Sequence, residues 1–174
     1  MIRPVILVLC MTLPVASQAD IQVGVAGPMG GAIAAAMSGE QQLRGAEKAL
    51  KDINHNGGVM KQKLALNIGG DACNPNRAVE VVNNLASRGV VFVDGHFCSA
   101  ASIPASKFYA EHHILQITPA STNPQLTDEA YKNGWAGVFR TCGRDDQQGK
   151  VAGIYILQHF KDATFDRSLA IRSA

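Results

Sequence analysis

From Ile21 onward, short apolar runs alternate with longer segments in which apolar residues recur at spacings of three and four. The short runs have the length of strands and the longer ones the period of helices with one face against a sheet, so the pattern predicts βαβ units and a parallel sheet. Strands are expected at Ile21–Ala26, Leu64–Ile68, Val90–Val93, Ile114–Ile117 and Gly137–Thr141, with a sixth beginning at Ser168–Ile171. Leu43, Ala46, Leu50 and Ile53 mark the apolar face of a first helix, stopped by Asn56-Gly57-Gly58. Asn74-Pro75 starts a second, because asparagine caps and proline suits the first turn; it carries Ala78, Val82, Leu85 and Ala86 inward. Ser99–Glu111 is a third, and Asp145 or Asp146 can cap a fourth running to about Phe160. Thr118–Gly134, polar and holding Pro119 and Pro124, reads as a long irregular connection.

The fold class is therefore α/β, one open doubly wound sheet. Ligands of such sheets sit beyond the carboxyl ends of the strands, where neighbouring crossovers diverge. Three segments occupy that position: Pro28–Gly31, His96–Ala101 and Thr118–Asn123.

Composition narrows the partners. The chain has 174 residues, 47% of them apolar, enough for one core. A net charge of +2 without a lysine or arginine block argues against a nucleic-acid stripe or a membrane-surface patch. Residues 1–19 run from Arg3 through apolar Val5–Val15 to Ser17-Gln18-Ala19, the three-part layout of a cleavable secretory signal with the cut before Asp20. That stretch is well short of the roughly 20 residues that span a bilayer, so no membrane insertion is expected after cleavage. Leu9, where a small residue should precede a lipidated cysteine, argues against Cys10 as a lipid anchor. Export leaves Cys73, Cys98 and Cys142 in an oxidising compartment: one pair and one odd thiol.

Several residues could carry chemistry. Ser99 stands at a helix amino terminus, which favours a carboxylate; the competing reading is that it caps its own helix. His96 and Cys98 suggest a base and a thiol nucleophile, a minor reading. His112 and His113 are adjacent, point to different faces and do not converge on one metal. Gly27-Pro28-Met29-Gly30-Gly31 does not fit a dinucleotide fingerprint. No metal and no cofactor are called for.

Gly45-Ala46-Glu47, Asp52-Ile53-Asn54 with Gly57-Gly58, Asp71-Ala72-Cys73, Gly95-His96-Phe97-Cys98-Ser99 and Ile117-Thr118-Pro119-Ala120 resemble, in order and spacing, the type I periplasmic binding proteins of the branched-chain amino acid class. Each is weak alone, but together they span nearly the whole mature chain. The resemblance pairs Cys73 with Cys98, closing a loop whose entropic stabilisation is about 3 kcal/mol. It implies that Ser99 and Thr122 donate hydroxyl hydrogen bonds to a ligand α-carboxylate and that the Ala120 carbonyl accepts from its α-ammonium. Ser121 falls in the same ligand set, and backbone N–H groups near Ala100 and Thr122 complete the carboxylate's shell.

The sequence departs from the family pattern between Gly30 and Gly39, which is longer and lacks an aromatic, near Trp135, and at Cys142, where a threonine is usual. Members of that family run about twice as far, adding a second lobe. The resemblance accordingly divides this chain into a signal (1–19), a ligand-binding lobe without its return crossover (20–143) and the start of a second lobe (144–174). It implies a non-enzymatic periplasmic receptor that hands a branched-chain or similar aliphatic amino acid to the permease subunits of an ABC importer, impaired by its length. Amides, urea or small aromatic acids are the alternative ligands on the same fold.

Overall fold

The structure, a computed structural model, describes residues 19–29 and 39–160. The signal sequence, the Gly30–Ser38 departure and the strand expected at Ser168–Ile171 lie outside the described residues. Five parallel strands, β1 (Ile21–Gly27), β2 (Leu64–Gly70), β3 (Phe92–Gly95), β4 (Leu115–Thr118) and β5 (Val138–Arg140), form one sheet in the order β2-β1-β3-β4-β5. The helices between them are α1 (Gly39–His55), α2 (Pro75–Ser87), α3 (Ser99–Glu111) and α4 (Gln125–Lys132), and α5 (Asp145–His159) follows β5. The chain steps outward from β1 to β2 and then returns past β1 to β3, so right-handed crossovers put α1 on one face and α2, α3 and α4 on the other. The order of connection reverses between β1 and β3, which puts the topological switch point at their carboxyl ends.

The core lies between the sheet and α2 and α3. Ala26, Val93, Ala78, Val82, Leu85, Ala101, Ala105 and Tyr109 meet there, and a smaller cluster of Leu126, Ala130 and Val138 extends it under α4. Register explains which strand residues take part. Val93 lies beside Gln116 and Gln116 beside Val138, so these three share the covered face, while Asp94, Ile117 and Phe139 align on the other. Gly24 lies on the covered face, where a Cβ would sit 3.0 Å from a Val93 methyl and 3.1 Å from a Leu85 methyl, so a larger residue would press on both.

The capping expectation holds at Asn74, whose side chain accepts from the N–H groups of Asn76 and Arg77. Several others are corrected. The connection Thr118–Gly134 is not irregular throughout: it contains α4, which buries Leu126 and Ala130, one helical turn apart. Only two buried positions in eight residues left too faint a period to read. The third strand lies two residues later than expected, because Val90 packs into the core before the ladder begins, and Val91 is 54% exposed rather than buried on both faces. Arg144, not Asp145 or Asp146, is the amino-terminal cap residue of α5, and its guanidinium pairs instead with the Asp146 and Asp128 carboxylates. The apolar face of α1 does turn to the sheet, but Leu43, Ala46 and Leu50 are only half-buried and Ile53 is exposed.

Candidate ligand-binding site

The loops after β3 and β4 meet at the amino end of α3. Cys98 is the cap residue of that helix and makes no side-chain capping bond, so Ser99 occupies the first helical position with its hydroxyl turned elsewhere. Ser99 Oγ accepts from the backbone N–H of Asn123 at 3.3 Å, which puts it beside Thr122. The capping alternative for Ser99 is thereby replaced by a tether between the two loops. A hydroxyl that accepts through its lone pair keeps its own proton to donate.

The loop Ala120–Asn123 is fastened from every side. Thr118 Oγ1 accepts from the N–H groups of Ala120 and Ser121 at 3.3 and 3.0 Å. The Asp145 N–H donates to the Thr122 carbonyl at 3.1 Å. The Arg140 guanidinium donates to the carbonyls of Ser121 (2.8 Å) and Asn123 (2.9 Å) and to the Thr127 hydroxyl (3.0 Å). Cys142, the odd thiol, lies half-buried with Sγ 3.5 Å from the Ser121 carbonyl.

These bonds use up Ser121. Its side chain is fully buried, its hydroxyl lies 2.6 Å from the Ser102 hydroxyl with the His96 and Phe97 carbonyls at 3.1 and 3.2 Å as alternative acceptors for its one proton, and its N–H and C=O are both taken. Unlike the other residues of the expected ligand set, Ser121 turns its side chain inward and anchors the loop from below. What stays without a partner among the described residues is the N–H of Ser99, Ala100 and Thr122, the Thr122 hydroxyl and the Ala120 carbonyl. Ser99, Ala120 and Thr122 are half-buried and Ala100 is exposed, so this set borders solvent.

Beneath the cradle lies a buried polar network. His96 Nδ1 is 2.5 Å from Asp71 Oδ2 and its Nε2 is 3.0 Å from the Tyr109 hydroxyl, all three residues being fully buried. Desolvation, reinforced by the charge of Asp71, pushes the Tyr109 phenol far above its ordinary range, so it stays protonated and can donate to Nε2 while Nδ1–H donates to the carboxylate. Asp71 Oδ1 also accepts from the Cys73 N–H at 2.7 Å, and Cys73 forms a disulfide with Cys98. Asp71 and His96 thus tie the ends of β2 and β3 together on either side of that bond. The thiol reading of His96 with Cys98 fails here, because Cys98 has no free thiol and the His96 ring has both nitrogens engaged.

The residues that shape the site but escaped the sequence reading are Arg140, Ser102 and Tyr109, while Thr118 and Asp71 stood in quoted segments without a role. Arg140 ends a strand, where loops of such sheets gather their functional residues, and that signal could have found it. Tyr109 had none, since a tyrosine on an apolar helix face looks like core.

The arrangement is a doubly wound sheet with free hydrogen-bonding groups gathered past the ends of β3 and β4. The chain belongs to the periplasmic binding protein family, whose model it matches over residues 20–168. It is 50% identical over 145 residues to the Leu/Ile/Val-binding protein homolog 1 of Brucella abortus (strain 2308), a match covering 83% of this chain and 38% of that protein. It superposes with a TM-score of 0.69 on the branched-chain amino acid transporter substrate binding protein LivJ of Streptococcus pneumoniae in complex with isoleucine, at 26% identity, over 80% of this chain and 38% of that one. An ABC transporter substrate-binding protein of Desulfitobacterium hafniense in complex with Leu gives a TM-score of 0.63 at 30% identity, over 80% and 39% of the two chains. The chain thus spans about two fifths of the length of the relatives it matches.

Proposed function

We propose that this lobe grips the backbone portion of an aliphatic amino acid of the leucine, isoleucine and valine type, as a periplasmic receptor delivering to the permease subunits of an ABC importer. One observation carries the reading: three N–H groups, two hydroxyls and one carbonyl border the same rim, and all but the tethering lone pair of Ser99 are free among the described residues. The N–H and hydroxyl groups of Ser99, Ala100 and Thr122 are donors matched to a carboxylate, and the α3 amino terminus adds its dipole. The Ala120 carbonyl is an acceptor matched to the ammonium. The names of the Brucella and Streptococcus relatives support the ligand class.

Under the same proposal residues 1–19 are a cleaved export signal, and α5 opens a second lobe that would close over the ligand side chain. The absence of any buried residue in α5 supports that division near residue 143. Calorimetric titration with leucine, valine and acetamide tests the reading. Saturable heat with leucine and valine is expected, reduced about tenfold or more by Ser99→Ala with Thr122→Val. Saturation by acetamide with no heat from leucine or valine would overturn it.

A further inference from the structure

Arg140 ends β5, is half-buried, and pairs with no carboxylate among the described residues. An arginine in a protein normally directs its fork at an anion; this one directs it at two main-chain carbonyls, Ser121 at 2.8 Å and Asn123 at 2.9 Å, and at the Thr127 hydroxyl. Its Nε is buried and without a partner among the described residues. The Ser121 carbonyl belongs to the peptide that carries the Thr122 N–H, and the Asn123 carbonyl to the peptide that follows Asn123, so the fork fixes the planes that open and close the Thr122-Asn123 pair. The peptide between those two carries the Thr122 carbonyl, which is held from another direction by the Asp145 N–H.

We infer that Arg140 is the positioning residue of the ligand loop: by bridging the carbonyls of Ser121 and Asn123 it sets how the Thr122 N–H and hydroxyl meet the ligand, and its charge backs a carboxylate held there. This rests on the amino-acid reading above. Neutral hydrogen bonds to the same carbonyls would fasten the loop as well in geometry but would bring no positive charge. A cation with no carboxylate beside it among the described residues, lying one peptide behind Thr122, favours an anionic group in front. The fork matters as much as the charge, because a lysine ammonium is a point donor on a flexible stem and does not hold two carbonyls in a set relation.

Two variants separate these roles from mere structural support. Arg140→Lys keeps the charge and the stem and loses the fork; Arg140→Met loses both. Amide hydrogen exchange in the ligand-free protein reads loop order directly through Ser121 and Asn123, whose N–H groups are bonded to Thr118 and Ser99. In Arg140→Lys these two amides should exchange about tenfold faster or more, while those of Val25 and Val82 in the core are unchanged. Leucine affinity should fall about tenfold, and further in Arg140→Met. Should Arg140→Met fail to fold, the lysine variant decides alone. Unchanged exchange at Ser121 and Asn123 in Arg140→Lys overturns the inference and leaves the amino-acid reading standing. A parent chain that binds no leucine removes that reading, and the loop exchange still decides the role of Arg140.

Discussion

The two faces of the sheet are built from similar strands and end in different states. On one, Val93, Gln116 and Val138 disappear under α2, α3 and α4, and Leu85, Val82 and Tyr109 seal them. On the other, among the described residues, α1 alone covers β1 and β2, leaving Leu115 37% and Phe139 50% exposed and a cavity of about 290 Å³ bounded by Val23, Leu50, Leu66, Phe92 and Asp94. The candidate site draws on the covered face. Ser102 and Tyr109 rise from it, and Thr118 and His96, both fully buried, hold the two loops from beneath. The difference teaches that the cradle is supported by one layer of helices and is largely independent of the packing on the opposite face.

The sharpest way to break that comparison is to delete the same side chain from each face. Leu85→Ala removes a fully buried group from the sealed side and should cost about 2–5 kcal/mol in a denaturant titration. Leu115→Ala, on the open side, should cost less than about 1 kcal/mol. Equal losses would mean that the open face is sealed in solution and that the comparison is wrong.

A smaller effect separates the two faces by charge. Asp71 is enclosed and partnered by His96, whereas Asp94 looks toward the α1 cavity. Desolvation raises the Asp94 carboxyl above its ordinary value of 3.8, and the Gln42 hydrogen bond lowers it only in part. A folded-state value above the unfolded one means that the folded chain binds the proton more tightly, so Asp94 costs stability as pH rises above about 3.8. Asp94→Asn should therefore raise the thermal midpoint near neutral pH and lose that gain near pH 3. A gain independent of pH would locate the effect in packing rather than in ionisation.

How far the sequence carried depends on how local each signal was. Strand and helix order, the Asn74 cap and the span of α3 were legible because period and capping are short-range properties. The pairing of Cys73 with Cys98 came from family likeness, and the structure forms that bond with Cα atoms 5.4 Å apart. α4 was missed because two buried residues make no readable face, and the inward turn of Ser121 was not legible because sequence places it beside Thr122 without saying which way either side chain turns. Arg140 and Tyr109 act on residues 19 and 13 positions away, at Ser121 and His96, and such distant pairing leaves no mark in a periodicity.

The central claim is that the end of α3 and the Ala120–Asn123 loop together take a carboxylate. Amide chemical shifts followed by NMR during a leucine titration to about 10 mM test it most directly, since even weak binding is visible at that concentration. The account predicts that the Ser99, Ala100 and Thr122 amides shift together along one saturation curve, and that leucinamide, which lacks the carboxylate, leaves them in place. Shifts confined to the α1 cavity, or equal responses to leucine and leucinamide, would contradict it.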